Sequence, residues 1–175
     1  GSRAEQIGGT PDSFSVPTSA SGNTFTNISF LPCYNCNNYQ NIIITSNATN
    51  NIFLNISLNK SKVVFVPRSP NKPVEKNNLT VQWYLQVNIS NSSGQPIPAQ
   101  VIINNSNNLN LMNETANGNG LTQTIVVTEY TQNGSVNWGT SDSCISVRNN
   151  INITCFSPYN VSVNMSGYNS NASSI

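Results

Sequence analysis

From residue 79 to 89 apolar and polar side chains alternate without a break. Leu79, Val81, Trp83, Leu85, Val87 and Ile89 share one parity; Thr80, Gln82, Tyr84, Gln86 and Asn88 share the other. Successive strand residues point to opposite faces, so this run predicts a long half-buried strand. Shorter strand-like runs occur at 24–31, 41–46, 51–58, 62–66, 100–104, 121–130, 134–138, 144–148, 151–155 and 159–165. Asn, Ser, Gly and Pro separate them, and no segment repeats its apolar residues at helical spacing. Residues 91–98 and 104–120 read as polar connections. The expected fold is all-β, a β-sandwich with Greek-key connections.

Residues 1–22 depart from this pattern. They are rich in Gly, Ser, Thr and Pro, and their few larger apolar residues include Ile7, Phe14 and Val16. Ser13-Phe14-Ser15-Val16 alternates between Pro11 and Pro17, which favour extended backbone and oppose helix. Such an arm gains little by folding on itself. It either adds a strand to a neighbour's sheet or is a disordered terminus. The expected organisation is an arm over 1–22, a candidate donor strand, followed by one β-domain over 23–175.

The polar positions carry a second signal. Asn-X-Ser/Thr with X not Pro occurs at Asn27, Asn47, Asn55, Asn59, Asn78, Asn88, Asn91, Asn104, Asn113, Asn133, Asn152, Asn160, Asn164 and Asn171. The chain has 33 Asn, 24 Ser and 14 Thr, so composition alone would give about seven such sites. The twofold excess points to an N-glycosylated protein of the cell exterior. Within a strand, the Asn and the Ser/Thr of one sequon share a face. In 160–166 the Asn and Ser residues point one way and Val161, Val163 and Met165 the other. In 54–59, Leu54, Ile56 and Leu58 are expected inward and Asn55, Ser57 and Asn59 outward; in 151–155, Asn152 and Thr154 face out. Glycans placed this way would coat sheet faces and hinder sideways pairing of exposed edges.

Charge narrows the classes further. Lys and Arg number 7, Asp and Glu 6, and His is absent. The charged fraction of 7% is far below the roughly 25% usual in soluble proteins. A net charge of +1 without a basic run gives no footprint for nucleic acid. No stretch is long and apolar enough to span a membrane as a helix. With few carboxylates and no His, little stability hangs on their ionisation, which suits an acidic exterior.

The four cysteines are even in number, as in an oxidised secreted protein. Two strands joined by a two-residue turn at Asn149-Asn150 would pair Arg148 with Ile151 and Ile145 with Thr154. That register sets Cys144 opposite Cys155, within disulfide reach. Cys33 and Cys36, in Cys-Tyr-Asn-Cys, favour a local disulfide closing a tight turn; a cross-connection such as Cys33 to Cys155 stays open. A zinc reading lacks ligands.

Catalytic chemistry has little to stand on. Triads that need His are impossible. Glu5, Asp12, Glu75, Glu114, Glu129 and Asp142 are scattered, and no motif pairs two of them as in a glycosidase. Trp83 and Trp138 could line a sugar site, although Trp83 sits on the apolar parity of the longest strand. Lys60, Lys62, Lys72 and Lys76 read as a solvated hairpin. No cofactor is expected beyond covalent N-linked glycans.

The whole-chain character is an Asn/Ser/Thr-rich β-domain with dense sequons and few charges. A polar arm precedes a first strand beginning Thr24-Phe-Thr-Asn-Ile-Ser-Phe30. In these respects the chain resembles the thread filament subunits of thermoacidophilic archaea. The resemblance implies an immunoglobulin-like or pilin-like sandwich, completed by a neighbour's N-terminal donor strand. It also implies heavy N-glycosylation and polymerisation of identical subunits, head to tail, into an extracellular filament supporting adhesion to surfaces or other cells. Ile7, Phe14 and Val16 would then be the donor side chains. A surface adhesin or lectin-like module, and a surface-layer or viral-coat β-domain, are the alternatives.

Overall fold

The computed structural model describes residues 14–16, 20–28, 42–45, 48–56, 63–66, 77–134, 147–148, 151–168 and 170–175. Among them every regular element is a strand: β1 (Phe14–Val16), β2 (Thr24–Thr26), β3 (Ile42–Thr45), β4 (Asn51–Leu54), β5 (Val63–Val66), β6 (Asn77–Leu85), β7 (Gln100–Asn104), β8 (Asn110–Thr115), β9 (Ile125–Gly134), β10 (Val147–Arg148), β11 (Ile151–Cys155), β12 (Asn160–Asn164) and β13 (Asn171–Ser174). The all-β expectation holds for these residues. The strands form three sheets, ordered β1-β3-β5, β10-β11-β9-β6-β4-β2 and β13-β12-β7-β8. The chain divides into two compact units, Gly1–Gln82 with Tyr130–Cys155, and Trp83–Glu129 with Phe156–Ile175.

The first unit is built on parallel ladders. β1 pairs with β3 and β3 with β5, all parallel. β2 pairs with β4 and β4 with β6, again parallel. Parallel neighbours need long crossovers, which hairpin-connected strands do not supply. A recurring segment explains the register. Ala20-Ser-Gly-Asn-Thr-Phe-Thr-Asn-Ile28 lies over Ala48-Thr-Asn-Asn-Ile-Phe-Leu-Asn-Ile56, and the carboxamide bonds Asn23–Asn51 and Asn27–Asn55 join residues 28 positions apart. Thr24 stands beside Ile52 and Phe25 beside Phe53, and the two rings stack at 5.0 Å between centroids. Ile42, Ile44, Phe53, Ile56, Val63, Leu79 and Val81 are fully buried, so this core draws on both ladders. Antiparallel strands complete the unit: β11 pairs with β9, and β10 with β11, Arg148 facing Ile151 and Val147 facing Asn152. That is the hairpin register expected from the sequence.

Three expectations change here. Phe14–Val16 pairs in parallel with β3 of its own chain, Phe14 beside Ile42 and Val16 beside Ile44, where the arm is read from sequence as either a donor strand for a neighbour or a disordered terminus. Its backbone finds a partner because it precedes β2 at the same spacing by which β3 precedes β4. The inward residues of β4 are Asn51 and Phe53, and Leu54 is only half-buried. The strand ends at Leu54, where Asn55 takes a left-handed φ of 55°; Asn55 is exposed and Ile56 fully buried, as expected, and residues 57–59 lie outside the described residues. The third change is β8, inside a segment read as connection.

In the second unit β12 pairs with β7 and β13, and β7 with β8, all antiparallel. Val101, Ile103, Met112, Val127, Tyr159 and Val161 form the core, with Trp83, Leu85 and Val87 packed against it half-buried. Those three belong to the face that the alternation in 79–89 marked as inward. β8 escaped notice because Leu111 and Met112 are adjacent rather than alternating; pairing of Ile103 with Met112 holds the strand.

Three turns of this unit share one construction. The Oδ1 of Asn91 accepts the amides of Ser93 and Gln95, that of Asn105 the amides of Asn107 and Leu109, and that of Asn117 the amides of Asn119 and Leu121. In each, the fourth residue has positive φ: Gly94 at 77°, Asn108 at 59° and Gly120 at 73°. An Asn side chain imitates a backbone turn, and Gly or Asn tolerates the left-handed position. Gly120 is fixed further, because a Cβ there would lie 2.2 Å from the carbonyl oxygen of Ile89.

Candidate functional site

The chemistry of the first unit is concentrated in its stacked asparagines. Asn51 is fully buried at the start of β4. Its Oδ1 accepts both the backbone amide of Asn23 (3.3 Å) and the Nδ2 of Asn23 (3.0 Å), and its own Nδ2 donates to the Ala20 carbonyl at 2.9 Å. Asn55 Nδ2 donates to Asn27 Oδ1 at 2.7 Å, and both residues are left-handed, with φ of 55° and 58°. Asn77, buried, accepts the amide of Ala48 at 3.1 Å, and Asn78 accepts that of Asn50. A buried carboxamide is tolerable only when its groups are paired, and this ladder pairs them with the neighbouring pass of the chain, in part at equivalent positions 28 residues away.

Sequon asparagines occupy a different environment from buried ones. Asn27, Asn55, Asn88, Asn113, Asn133, Asn160 and Asn171 are exposed, and Asn78, Asn91, Asn104 and Asn164 are half-buried. The fully buried asparagines among the described residues are Asn51, Asn77 and Asn105, and none of the three heads a sequon. Asn152 lies in β11; its side chain, together with Asn47 and Asn59, is outside the described residues.

Other expected site residues are placed as follows. Phe14 and Val16 lie in β1, and Ile7 is outside the described residues. Cys155 is disulfide-bonded. Its strand pairs with β10 in the register that a Cys144–Cys155 bridge presupposes. Cys33, Cys36 and Cys144 lie outside the described residues.

Among the acids, Glu114 accepts the amide of Gln123 at 2.6 Å, and Glu129 accepts the indole Nε1 of Trp83 at 2.6 Å. Thus Trp83 turns its ring into the core of the second unit and its polar edge to a carboxylate. Nearby, the Tyr159 hydroxyl donates to the Thr128 carbonyl. Burial first, and the charge of Glu129 second, push this phenol up to about 12. Glu5, Asp12, Glu75, Asp142, Trp138 and the four lysines lie outside the described residues. No group of three or more metal-ligating side chains occurs among the described residues, and no helix there is long and apolar enough to cross a membrane.

Two features escaped sequence reasoning. The repeat was detectable as Ala-x-x-Asn-x-Phe-x-Asn-Ile recurring at 20–28 and 48–56. The turn closers were detectable as Asn three residues before Gly or Asn. No family model matches the chain, and neither a curated protein nor a solved structure is significantly similar to it.

Proposed function

We propose that the chain is a non-catalytic, N-glycosylated structural subunit of an extracellular assembly of identical copies, with a filament as its form. The observation that carries this reading is the division of asparagines. Those heading sequons keep a route to solvent wherever their side chains are described, and the fully buried ones head none. A glycan on any of the former needs no opening of the core. An oxidised cysteine at 155 suits the same exterior.

Copies would join through strand edges. Among the described strands, β1 and β5 bound a sheet whose pairings are all parallel. Adding the β1 edge of one copy to the β5 edge of the next continues the sheet in one direction. Such a heterologous contact yields a fibre when its rotation does not close a ring. This differs from donation of a free arm, since β1 keeps its place beside β3. The immunoglobulin-like, Greek-key reading is retained as a proposal for the second unit, whose sheet is antiparallel and buries one apolar face.

Electron microscopy of native material tests the reading. Fibres are expected. A planar lattice would move the assignment to a surface layer, and discrete particles at high concentration would overturn the polymer.

A further inference from the structure

In the second unit a cavity of about 500 Å³ opens between the segment after β6, the segment before β7 and the end of β12. Small-molecule sites span roughly 300–1,000 Å³. Ile97, Val163 and Met165 line it, and all three pack against the core of the unit. Asn88, Asn91 and Asn171 supply carboxamides, and Tyr168 lines it while remaining 55% exposed. Among the described residues that line it, none carries a carboxylate, an ammonium or a guanidinium. The cavity therefore has no formal charge with which to hold an ion.

An uncharged site lined by aliphatic side chains, an accessible aromatic ring and several amides suits a ligand that offers both C–H faces and hydroxyls. A pyranose is such a ligand. Its C–H faces pack on aliphatic and aromatic carbon, and its hydroxyls both donate to and accept from carboxamides and hydroxyls. We propose that this cavity binds a neutral pyranose. All three asparagines lining the cavity head sequons, so a glycan of this chain would start at its rim. Asn91 is also held in orientation, because its Oδ1 is engaged by the amides of Ser93 and Gln95. The sugar comes either from a glycan attached to this chain or from a glycan of another molecule. Only the first source rests on the glycoprotein reading above.

The test uses the full chain, oxidised, made in a host that adds no N-glycans and isotopically labelled for NMR. N-Acetylglucosamine is titrated in, with glucuronate as the charged comparison. Saturable shifts at Val163, Met165 and Tyr168 are expected with N-acetylglucosamine in the millimolar range, and weaker ones with glucuronate. Tyr168→Ala should weaken binding about tenfold, and Tyr168→Phe, which keeps the ring, should bind nearly as wild type. Because Tyr168 is exposed, both variants keep the folded spectrum. A folded chain showing no saturable shift at these residues overturns the proposal, as does Tyr168→Ala binding equal to wild type. Repeating the titration on glycosylated chain identifies the source. Loss of binding means that the chain's own glycan fills the cavity; retained binding means that the sugar comes from elsewhere. Mass spectrometry that finds no glycan on native material would sink the glycoprotein reading and leave the titration result standing.

Discussion

The two units use the same residue for opposite purposes. In the first, asparagine carboxamides join positions 28 residues apart, so Asn51 and Asn55 lock one pass of the chain onto the next. In the second, Asn91, Asn105 and Asn117 reach amides only two and four residues ahead, so each closes its own turn. One unit is built mainly on parallel ladders and is cohesive at long range; the other is antiparallel and builds its corners locally. The difference teaches that an Asn-rich composition is neither filler nor only a supply of sequons. It is how a chain with 7% charged residues satisfies buried and turn backbone groups.

The comparison is broken most severely in the ladder. Asn51→Ala removes three hydrogen bonds from a fully buried position and leaves the amides of Asn23 and the carbonyl of Ala20 short of a partner. A loss of about 3 kcal/mol is expected in denaturant unfolding. Asn105→Ala, which removes two local bonds, should cost less, about 2 kcal/mol. Equal losses would contradict the long-range role.

A glycine pair sharpens the account of the second unit. Gly120→Ala places a Cβ against the Ile89 carbonyl at a left-handed position and should cost about 2–3 kcal/mol. Gly118→Ala meets nothing within 4 Å and should change the melting temperature little. A further effect is alkaline. Tyr159 keeps its proton up to about 12 in the fold, against an ordinary value of 10.0. Its contribution is therefore complete below about pH 10 and declines as pH rises through the folded value. In Tyr159→Phe the decline of stability between these values should flatten, measured by unfolding at a series of alkaline pH values.

Much of the local structure was legible in the sequence. The bounds of β7 and β11, the inward face of 79–89 and the register of Arg148 against Ile151 follow from alternation and turn chemistry, which are local. Pairing partners were not legible, because alternation says which side chains share a face and nothing about which strand lies alongside. The repeat was masked by composition: where nearly a fifth of residues are Asn, matches such as Asn23 with Asn51 look accidental until Phe25 and Phe53 are aligned with them. β8 and β13 were missed for want of apolar alternation; β13, Asn171–Ser174, is exposed along its length and is held by backbone pairing with β12. The cavity has no motif at all, since its lining comes from three separated segments.

The central claim is that Phe14–Val16 belongs to its own chain's sheet and that assembly adds to an edge already complete. Amide hydrogen exchange on dilute, monomeric chain tests it most directly, read at β1 and at its partner β3. Strong protection of both strands, unchanged on dilution, is the predicted result. Rapid exchange in the monomer with protection appearing only on assembly would contradict the account and restore a free donor arm.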